Sequence, residues 1–415
     1  MPDIEVHIDF AAGPKRVGTL HRHARRGGEA ISFEYDPVWL EDPARFSLEP
    51  ALALGRGAFA PAGTLPIFGS IGDSAPDTWG RRLMQRAERR RAEREGRAVR
   101  TLQELDYLLG VSDVSRLGAL RFRHSAAEAF QSPTAVGVPG LVELGRLLQA
   151  TERILRDEET DEDLQRIFAP GSSLGGARPK ASVIDNRNRL SIAKFPKETD
   201  EYSIELWESV ALTLARRAGI RAPDHELLQV AGRPVMLARR FDRAGNTRVP
   251  FLSALSMLGL KDGERGSYPE LVDSLARHGE RAREDARELY RRMVLNILIS
   301  NVDDHLRNHG FLWTGPTGWI LSPVYDLNPT PTDVRPRILT TNINLDEATC
   351  DIDLALSSAE YFSLALKDAK TLIKEVATAT SDWRSVAAAA GAGQSEINRL
   401  ATAFEHNDLT RARSL

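Results

Sequence analysis

Residues 301–311 read NVDDHLRNHGF, and residues 324–327 read VYDL. An apolar, helix-like pattern ends immediately before this very polar loop. Transfer of a phosphoryl group needs one carboxylate that orients and deprotonates the attacking hydroxyl, and it needs oxygen ligands for Mg²⁺. The spacing of Asp303, Asn308 and Asp326 meets these needs, with Asp303 as the base and the other two as metal ligands. The two segments therefore predict a site for phosphoryl transfer.

A second interpretation of the same loop requires no chemistry. Asp and Asn side chains often accept hydrogen bonds from nearby backbone N–H groups, and a loop capped in this way has a similar composition. The order of further motifs upstream favours the catalytic interpretation. His305 lies inside the loop, at the nucleotide, and we expect it to order the loop through hydrogen bonds instead of transferring protons.

The first upstream motif is a glycine-rich segment before a predicted strand. Residues 171–180 read GSSLGGARPK, and glycines in such a segment let backbone N–H groups approach an anion closely. The segment lacks the Gly-Lys-Ser/Thr signature of a P-loop, so a plain flexible turn is the alternative.

The second upstream motif is a lysine on the next strand. Lys194 lies in the alternating stretch 190–195, LSIAKF, where it is expected to bind the α- and β-phosphates of ATP. Such a lysine needs a carboxylate to fix it, and Glu208 on the following helix is the best candidate, with Glu205 as its rival. A lysine that reaches from a sheet edge into solvent is the alternative.

The pattern along the chain predicts an α+β fold. Residues 4–10 alternate apolar and polar side chains, as in a half-buried strand, and residues 17–20 and 31–35 are the predicted partners in a small antiparallel sheet. Two hairpins are predicted at 181–195 and 226–238, and the chain is mostly helical from about residue 251. The predicted helices span residues 77–100, 204–218, 283–300, 368–390 and 394–404.

The helix predicted at 77–100 carries nine arginines among glutamates. One interpretation is a solvated helix whose charges compensate each other, and the other is a face that binds phosphates.

Composition limits the class of protein. The 415 residues have a formal net charge of −3, which argues against a surface built throughout for nucleic acid. Cys350 is the single cysteine, so neither a disulfide framework nor a thiolate metal cluster is expected. The first residues show no signal-peptide pattern and no apolar stretch is long enough to span a bilayer, which predicts a soluble, cytoplasmic protein without membrane contact.

Together these motifs resemble the HipA-like serine/threonine kinases, the toxin half of bacterial HipBA modules. The segments that carry the resemblance extend along nearly the whole chain: Val17-Gly18, Trp39-Leu40, Ser47-Leu48, Asp73, Pro76, Gly80-Arg81, residues 106–110, Asp113, residues 118–120, 175–180, 240–243 and 253–256, and the loop at 301–311. The resemblance implies a two-lobed protein-kinase-like fold with a β-rich N-lobe, an extra small N-terminal subdomain and an all-α C-lobe. The implied bounds are 1–124 for the subdomain, 141–250 for the N-lobe and 251–415 for the C-lobe.

The resemblance also implies roles for individual residues. Lys180 at the end of the glycine-rich segment would contribute to ATP binding, and the backbone near Arg239 and Phe241 would meet the adenine. Ser173 would be autophosphorylated, with Ser172 as a possible second acceptor, and the added charge of roughly −2 would repel the triphosphate.

Three positions depart from the best-known members of this family. Arg178-Pro179 stands in place of Gln-Glu, Arg239 replaces a glutamate at the adenine-binding hinge, and Asp304 occupies a position where glycine is common. These differences concern the nucleotide contacts more than the chemistry.

Partners are implied by the same resemblance. Family members phosphorylate aminoacyl-tRNA synthetases, so a protein substrate of this kind is expected, together with a HipB-like helix-turn-helix antitoxin and operator DNA bound through it. Alternatives are a co-repressor role with the antitoxin, or a small-molecule kinase on a related fold. The sequence shows no motif of its own that reads DNA bases.

Overall fold

The computed structural model describes residues 3–25, 28–126, 128–132, 137–168 and 176–415. The chain forms two compact units. Unit 1 comprises Met1–Glu198, Gln229–Arg233 and Leu237–Leu252, and unit 2 comprises Thr199–Leu228, Pro234–Met236 and Ser253–Leu415.

Strands occur mainly in the first 250 residues, as the sequence predicts. They are β1 (Ile4–Phe10), β2 (Gly13–Arg25), β3 (Gly28–Tyr35), β4 (Ala58–Phe59), β5 (Leu120–Arg123), β6 (Lys180–Ile184), β7 (Leu190–Lys194), β8 (His225–Val230), β9 (Arg233–Arg239), β10 (Arg243–Ala244), β11 (Thr247–Arg248), β12 (Phe251–Ser253), β13 (Gly310–Trp313) and β14 (Trp319–Leu321).

Helices dominate the second half of the chain. They are α1 (Pro37–Glu41), α2 (Gly69–Gly72), α3 (Thr78–Arg94), α4 (Glu104–Leu109), α5 (Leu144–Leu155), α6 (Asp161–Phe168), α7 (Ile204–Arg217), α8 (Ala254–Met257), α9 (Tyr268–His278), α10 (Ala282–Leu298), α11 (Ile352–Ser357), α12 (Leu366–Ser381), α13 (Trp383–Ala389), α14 (Gln394–Arg399), α15 (Ala401–Phe404) and α16 (Asn407–Ser414). Short 3₁₀ turns cover Leu141–Glu143, Leu306–Asn308 and Ala359–Phe362.

The N-terminal sheet of unit 1 is antiparallel and has the strand order β4-β3-β2-β1-β5. Ile4, Val6 and Ile8 of β1 are buried as the predicted alternation requires, whereas His7 is buried as well and Phe10 is half-buried. Gly18 on β2 is required by close packing. A β-carbon there would lie 2.2 Å from the Glu34 carbonyl oxygen and 2.4 Å from the Phe33 ring.

A second sheet has the strand order β6-β7-β9-β8. The hairpin predicted around residues 185–188 joins β6 to β7. Asp185 closes its turn by accepting hydrogen bonds from the backbone N–H groups of Arg187 (2.8 Å) and Arg189 (2.9 Å). Asn188 takes a left-handed conformation with φ 56°, which asparagine tolerates better than most residues.

Unit 2 is organised around α10, whose apolar face is buried as predicted. A cluster of three aromatic rings brings together α7, α13 and α15. Trp383 and Phe404 stack with centroids 4.5 Å apart, and Trp207 lies 6.0 Å from both. The hairpin β13–β14 follows Asn308, where the sequence shows a short β-like stretch.

The C-terminal helices differ from their predicted bounds. The single helix predicted at 368–390 is divided into α12 and α13 at Asp382. The break allows Trp383 to turn into the aromatic cluster, a tertiary contact that local sequence does not reveal. An additional helix, α16, ends the chain with Leu409 and Ala412 buried.

Candidate active site

The polar segment at 300–311 begins where α10 ends, and its first turn is tightly held. Ser300 has a left-handed backbone conformation with φ 51°, which is costly for a residue with a β-carbon and is frequent at functional sites. Its hydroxyl donates to the Ala403 carbonyl (2.9 Å) and accepts from Arg337 Nε (3.0 Å). These bonds fix the direction in which the chain enters the loop.

The two adjacent aspartates of this loop have opposite environments. The side chain of Asp303 is 51% exposed, whereas that of Asp304 is 3% exposed. Asp304 Oδ2 accepts a hydrogen bond from the Tyr268 hydroxyl (2.5 Å), and Asp304 Oδ1 lies 2.9 Å from His309 Nε2. Burial, together with the Asp304 charge, raises the pKa of Tyr268 well above its ordinary value, so the phenol remains a donor. Asp304 therefore anchors the loop and Asp303 is left accessible for chemistry.

Asn308 is oriented by the backbone of the proposed base. Its Nδ2 donates to the Asp303 carbonyl (3.1 Å), which directs its Oδ1 the other way. That oxygen is buried, and among the described residues it has no hydrogen-bond partner. A buried acceptor without a donor costs free energy unless something else satisfies it, and amide oxygens are good Mg²⁺ ligands. This arrangement fits a cation.

Asp326, the second predicted ligand, occupies a strained position. Its φ of 60° is rare for a residue other than glycine, and its backbone N–H donates to Glu208 Oε1 (3.1 Å). Asn328 then ties this segment to the start of the loop, because its backbone N–H donates to Asn301 Oδ1 (3.1 Å). Glu208 thus contacts the backbone of Asp326, and its rival Glu205 lies one turn earlier in α7; both glutamates are buried.

His305 orders the loop through its backbone. Its N–H donates to the Asp303 carbonyl (2.9 Å), and its carbonyl accepts from the Asn308 N–H (2.8 Å). The ring nitrogen Nδ1 is buried and has no hydrogen-bond partner among the described residues. No group of three or more His, Cys, Asp or Glu side chains that could hold a metal occurs in the described part of the chain. A cation held by Asn308 and Asp326 would complete its coordination with phosphate and water oxygens.

Two lysines lie opposite each other on the β6–β7 hairpin of unit 1. Lys180 and Lys194 are paired in the antiparallel register, so their side chains share one face of the sheet. Lys180 is buried and its Nζ donates to Asp77 Oδ2 (2.7 Å), a carboxylate that also caps α3 by accepting from the Gly80 N–H (2.8 Å). Lys194 is half-buried at the end of β7. The charge of Lys180 is thus compensated by Asp77, and Lys194 lies opposite it at the end of β7.

Two family models match the sequence. The HipA-like C-terminal domain matches residues 172–383, just over half of the chain, and the HipA N-terminal domain matches residues 8–109. The chain belongs to the HipA-like family.

One solved structure shows the fold. A HipA chain from Shewanella oneidensis, determined as a complex of HipA, HipB and operator DNA, matches with a TM-score of 0.68 and 16% identity, covering 99% of this chain and 96% of that chain. This likeness confirms the predicted two-lobed, kinase-like fold. The Helicobacter pylori proinflammatory kinase CtkA matches with a TM-score of 0.45 and 17% identity, covering 57% of this chain and 93% of that chain.

The match to a curated relative covers a smaller part of the chain than the structural match does. A Haemophilus influenzae protein named as a candidate kinase is 24% identical over 178 residues, which is 38% of this chain and 52% of that protein. The HipA-like chain thus spans about half the length of the curated relative that it matches.

The predicted adenine-binding segment of this HipA-like protein contains a buried ion cluster that sequence reasoning missed. Asp242 Oδ2 lies 2.5 Å from Arg240 Nη2 and 2.6 Å from Arg243 Nη1, and it accepts from the Gly118 N–H (2.8 Å). Burial alone would raise the pKa of Asp242, but the two guanidinium groups hold it at about 2. Arg239 and Phe241, the predicted nucleotide contacts, alternate with these residues and are half-buried. The Phe241 ring lies 6.2 Å from that of Phe251.

The predicted autophosphorylation sites, Ser172 and Ser173, lie outside the described residues. The first described residue after them, Gly176, accepts a hydrogen bond from the Trp79 N–H (3.3 Å) at the start of α3. Asp77 was also missed as a partner of Lys180, although an aspartate before a helix is a signal for an N-cap.

Carboxylates compensate most of the arginines in the segment 81–100, and many of these carboxylates lie outside α3, at residues 104, 106, 157, 159 and 161. Seven of the nine arginines predicted there have carboxylate partners: Arg81, Arg86, Arg90, Arg91, Arg94, Arg97 and Arg100. Arg82 and Arg89 are exposed and have no acidic partner among the described residues. The solvated-helix interpretation therefore accounts for most of the segment.

Among the described residues, no helix has the length and apolar character needed to cross a lipid bilayer.

Proposed function

We propose that this HipA-like protein is a kinase that transfers the γ-phosphoryl group of ATP to a serine or threonine hydroxyl of a protein. The observation that carries the proposal is the arrangement around the catalytic loop. Asp303 has an exposed carboxylate, and its carbonyl oxygen accepts a hydrogen bond from Asn308 Nδ2. The Oδ1 of Asn308 is buried and has no hydrogen-bond partner among the described residues, and the backbone of Asp326 is held by Glu208 and Asn328. A buried acceptor without a donor is a position at which a ligand can complete the bonding.

Each residue has a defined part in the proposed reaction. Asp303 orients the acceptor hydroxyl and takes its proton, while Asn308 and Asp326 hold Mg²⁺. Bound Mg²⁺ neutralises charge on the phosphates, which is the chemistry that the metal supplies. The phosphates are bound by Lys194 and Lys180, and Glu208 fixes the position of Lys194. His305 orders the loop near the nucleotide. The backbone near Arg239 and Phe241 contacts the adenine. The proposed domains are the N-terminal subdomain at 1–124, the N-lobe at 141–250 and the C-lobe at 251–415.

We further propose that the protein is the toxin of a toxin–antitoxin pair in the cytoplasm. The solved Shewanella oneidensis complex contains HipA, HipB and operator DNA, which supports a HipB-like antitoxin and operator DNA as partners. A translation factor such as an aminoacyl-tRNA synthetase is the proposed substrate, and autophosphorylation at Ser173 or Ser172 is the proposed means of self-inactivation. The added negative charge in a phosphate-binding loop would oppose ATP binding.

The experiment that tests the kinase is incubation of purified full-length protein with γ-labelled ATP and Mg²⁺. The wild type is expected to incorporate label, and Asp303→Asn is expected to lose at least about 10²-fold in rate, because the general base is removed. Asp353→Asn is the matched control, since Asp353 is an exposed carboxylate of the same unit that is paired with Arg411. Mass spectrometry should locate the phosphate at Ser173 or Ser172. Equal labelling of the wild type and Asp303→Asn would refute the assignment.

The co-repressor role has its own test. Binding of the protein to an antitoxin–operator complex should appear as a further shift in gel electrophoresis, and Asp303→Asn should leave that shift unchanged. If the wild type gives no further shift of the antitoxin–operator complex, the co-repressor role is refuted and the kinase assignment still stands.

A further inference from the structure

Asp303, the proposed base, forms an ion pair with Arg335, which lies in the same unit. Its Nη1 donates to Asp303 Oδ1 at 3.2 Å. Both side chains are more than half exposed, 57% for Arg335 and 51% for Asp303. Exposed ion pairs of this kind contribute little to the stability of a fold. The contact therefore requires an explanation other than stability.

The backbone delivers Arg335 to this position through contacts that do not involve Asp303. The N–H groups of Val334 and Arg335 both donate to the Pro331 carbonyl (3.0 and 3.3 Å), which forms a tight turn. The residue two positions before Arg335, Asp333, accepts from Arg399 Nη1 (2.8 Å). Two positions after it, Arg337 Nε donates to Ser300 Oγ (3.0 Å). Arg335 thus lies between two anchored neighbours, and the turn would remain in place without the ion pair.

The geometry of phosphoryl transfer places the reacting group within reach of this guanidinium. An acceptor hydroxyl that gives its proton to Asp303 must lie about 3 Å from the carboxylate. Arg335 Nη1 is 3.2 Å from the same carboxylate, so the hydroxyl oxygen lies within about 6 Å of it. The phosphorus that this oxygen attacks is about 3–3.5 Å further along the line of attack. Bridging that distance takes a change of rotamer of Arg335, whose side chain is 57% exposed.

From this arrangement we propose that Arg335 leaves Asp303 when the acceptor hydroxyl binds and contacts the phosphoryl group during its transfer. The inference rests on the proposed kinase function. In the reaction, the acceptor oxygen forms a bond to the γ-phosphorus as the bond from phosphorus to the β–γ bridging oxygen breaks. The hydroxyl proton passes to Asp303, and ADP departs with the bridging oxygen. Arg335 stabilises the equatorial oxygens, for which a planar guanidinium with several donors is suited.

The pairing in the structure then has a second consequence. While the site lacks an acceptor, Arg335 is bonded to one of the two carboxylate oxygens of Asp303. Binding of a hydroxyl to Asp303 and movement of Arg335 toward the phosphoryl group are therefore coupled. Arg335 contributes to the transition state and not to the binding of ATP itself.

The test compares Arg335→Met and Arg335→Lys with Arg411→Met in the full-length protein. Arg411 is the matched control because it is an exposed arginine of the same unit paired with an exposed aspartate, Asp353, at 2.8 Å. Autophosphorylation and slow hydrolysis of ATP, in which water replaces the acceptor, are both measured. We expect Arg335→Met to lower kcat about 10²–10³-fold, as removal of one donor to a developing charge does elsewhere. Arg335→Lys should recover part of the rate, and Arg411→Met should match the wild type.

A binding measurement separates this role from a structural one. The affinities for ADP–Mg²⁺ and for ADP–Mg²⁺ with aluminium fluoride, a mimic of the phosphoryl group in transfer, are determined by calorimetry. The wild type should bind the second more tightly, and Arg335→Met should lose that gain while its affinity for ATP–Mg²⁺ changes less than about threefold.

Three results would overturn the inference. They are a rate for Arg335→Met equal to that of Arg411→Met, a rate above that of the wild type, or a loss confined to ATP affinity. In each of these cases Asp303→Asn would still be inactive and the proposed function would stand. A wild type that transfers no phosphate, or an Asp303→Asn variant as active as the wild type, would overturn the proposed function and this inference with it.

Discussion

The loop at 301–311 and the segment at 239–243 are both short, polar and rich in charge, yet the structure uses them in opposite ways. In the first, Asp303 is exposed and Asn308 Oδ1 has no hydrogen-bond partner among the described residues. In the second, Asp242 is fully buried and bonded to two arginines and a backbone N–H. Unsatisfied groups indicate where a ligand binds, and satisfied ones indicate where charge holds the architecture together. The following substitutions test that distinction, in order of decreasing effect.

Asp242→Asn should have the largest effect on stability. It removes the anion from between Arg240 and Arg243, and loss of one partner from a buried ion pair typically costs about 3–5 kcal/mol. The free energy of unfolding, measured by urea denaturation, should fall by about this amount, while the control Asp353→Asn should change it little. A variant of Asp242 as stable as the wild type would show that this segment is not architectural, and the comparison would fail.

Glu49→Gln should remove a pH dependence that belongs to unit 1. Burial raises the pKa of Glu49 to about 7, partly opposed by its bond from the Ser70 N–H (2.5 Å) and reinforced by Asp73. Because the folded state holds this proton more tightly than the unfolded state, the free energy of unfolding falls as the pH rises from about 4.5 to about 7. The loss across that window is about 3 kcal/mol.

The measurement for Glu49 is a series of urea denaturations between pH 4.5 and pH 8. Glu49→Gln is neutral at every pH and keeps an acceptor for Ser70, so its stability should exceed that of the wild type above pH 7. Glu41→Gln, at an exposed position of the same unit, is the control and should retain the wild-type slope. Parallel curves for the wild type and Glu49→Gln would contradict the prediction.

These charges also show what could be predicted from the sequence. The alternation of residues 4–10, the turn at 185–188 and the apolar face of α10 are local patterns, and the structure contains each of them. These patterns predicted an α+β fold, and the kinase-like fold was implied by the resemblance to the HipA-like family. The partners of the buried charges did not follow, because Lys180 reaches back 103 residues to Asp77, and Asp242 reaches 124 residues to Gly118. No local period records contacts over such separations.

In the candidate site, too, some residues could be predicted from the sequence and others could not. The spacing in the sequence was enough to propose Asp303, Asn308 and Asp326. The buried Oδ1 of Asn308, which has no hydrogen-bond partner among the described residues, supports this proposal. Spacing did not show that Asp304 is a buried anchor, since its partner Tyr268 lies on another helix. It also gave no indication of Arg335, whose position depends on an anchored turn.

Tyr268→Phe should have an intermediate effect on the catalytic loop. The substitution keeps the buried ring and removes the hydroxyl that donates to Asp304, leaving a buried carboxylate with one contact fewer. Such a loss typically costs about 1–3 kcal/mol. The thermal midpoint should fall, and the phosphotransfer rate should fall modestly because Asp303 adjoins the loosened residue. Tyr361→Phe, at an exposed ring, is the control, and an unchanged midpoint for Tyr268→Phe would mean that Asp304 does not anchor the loop.

The smallest effect is expected in the arginine-rich segment 81–100, where paired and unpaired arginines occur together. Arg82 and Arg89 are exposed without acidic partners among the described residues, whereas Arg97 contacts Glu88 and Glu95. The double variant Arg82→Gln and Arg89→Gln should leave the thermal midpoint unchanged, and Arg97→Gln should lower it.

The same double variant decides whether α3 touches DNA. Each phosphate contact changes the slope of log affinity against log salt by about 0.9, so two contacts would reduce its magnitude by nearly 2 in binding to the antitoxin–operator complex. An unchanged slope would mean that these two arginines, like the seven paired ones, belong to solvated surface.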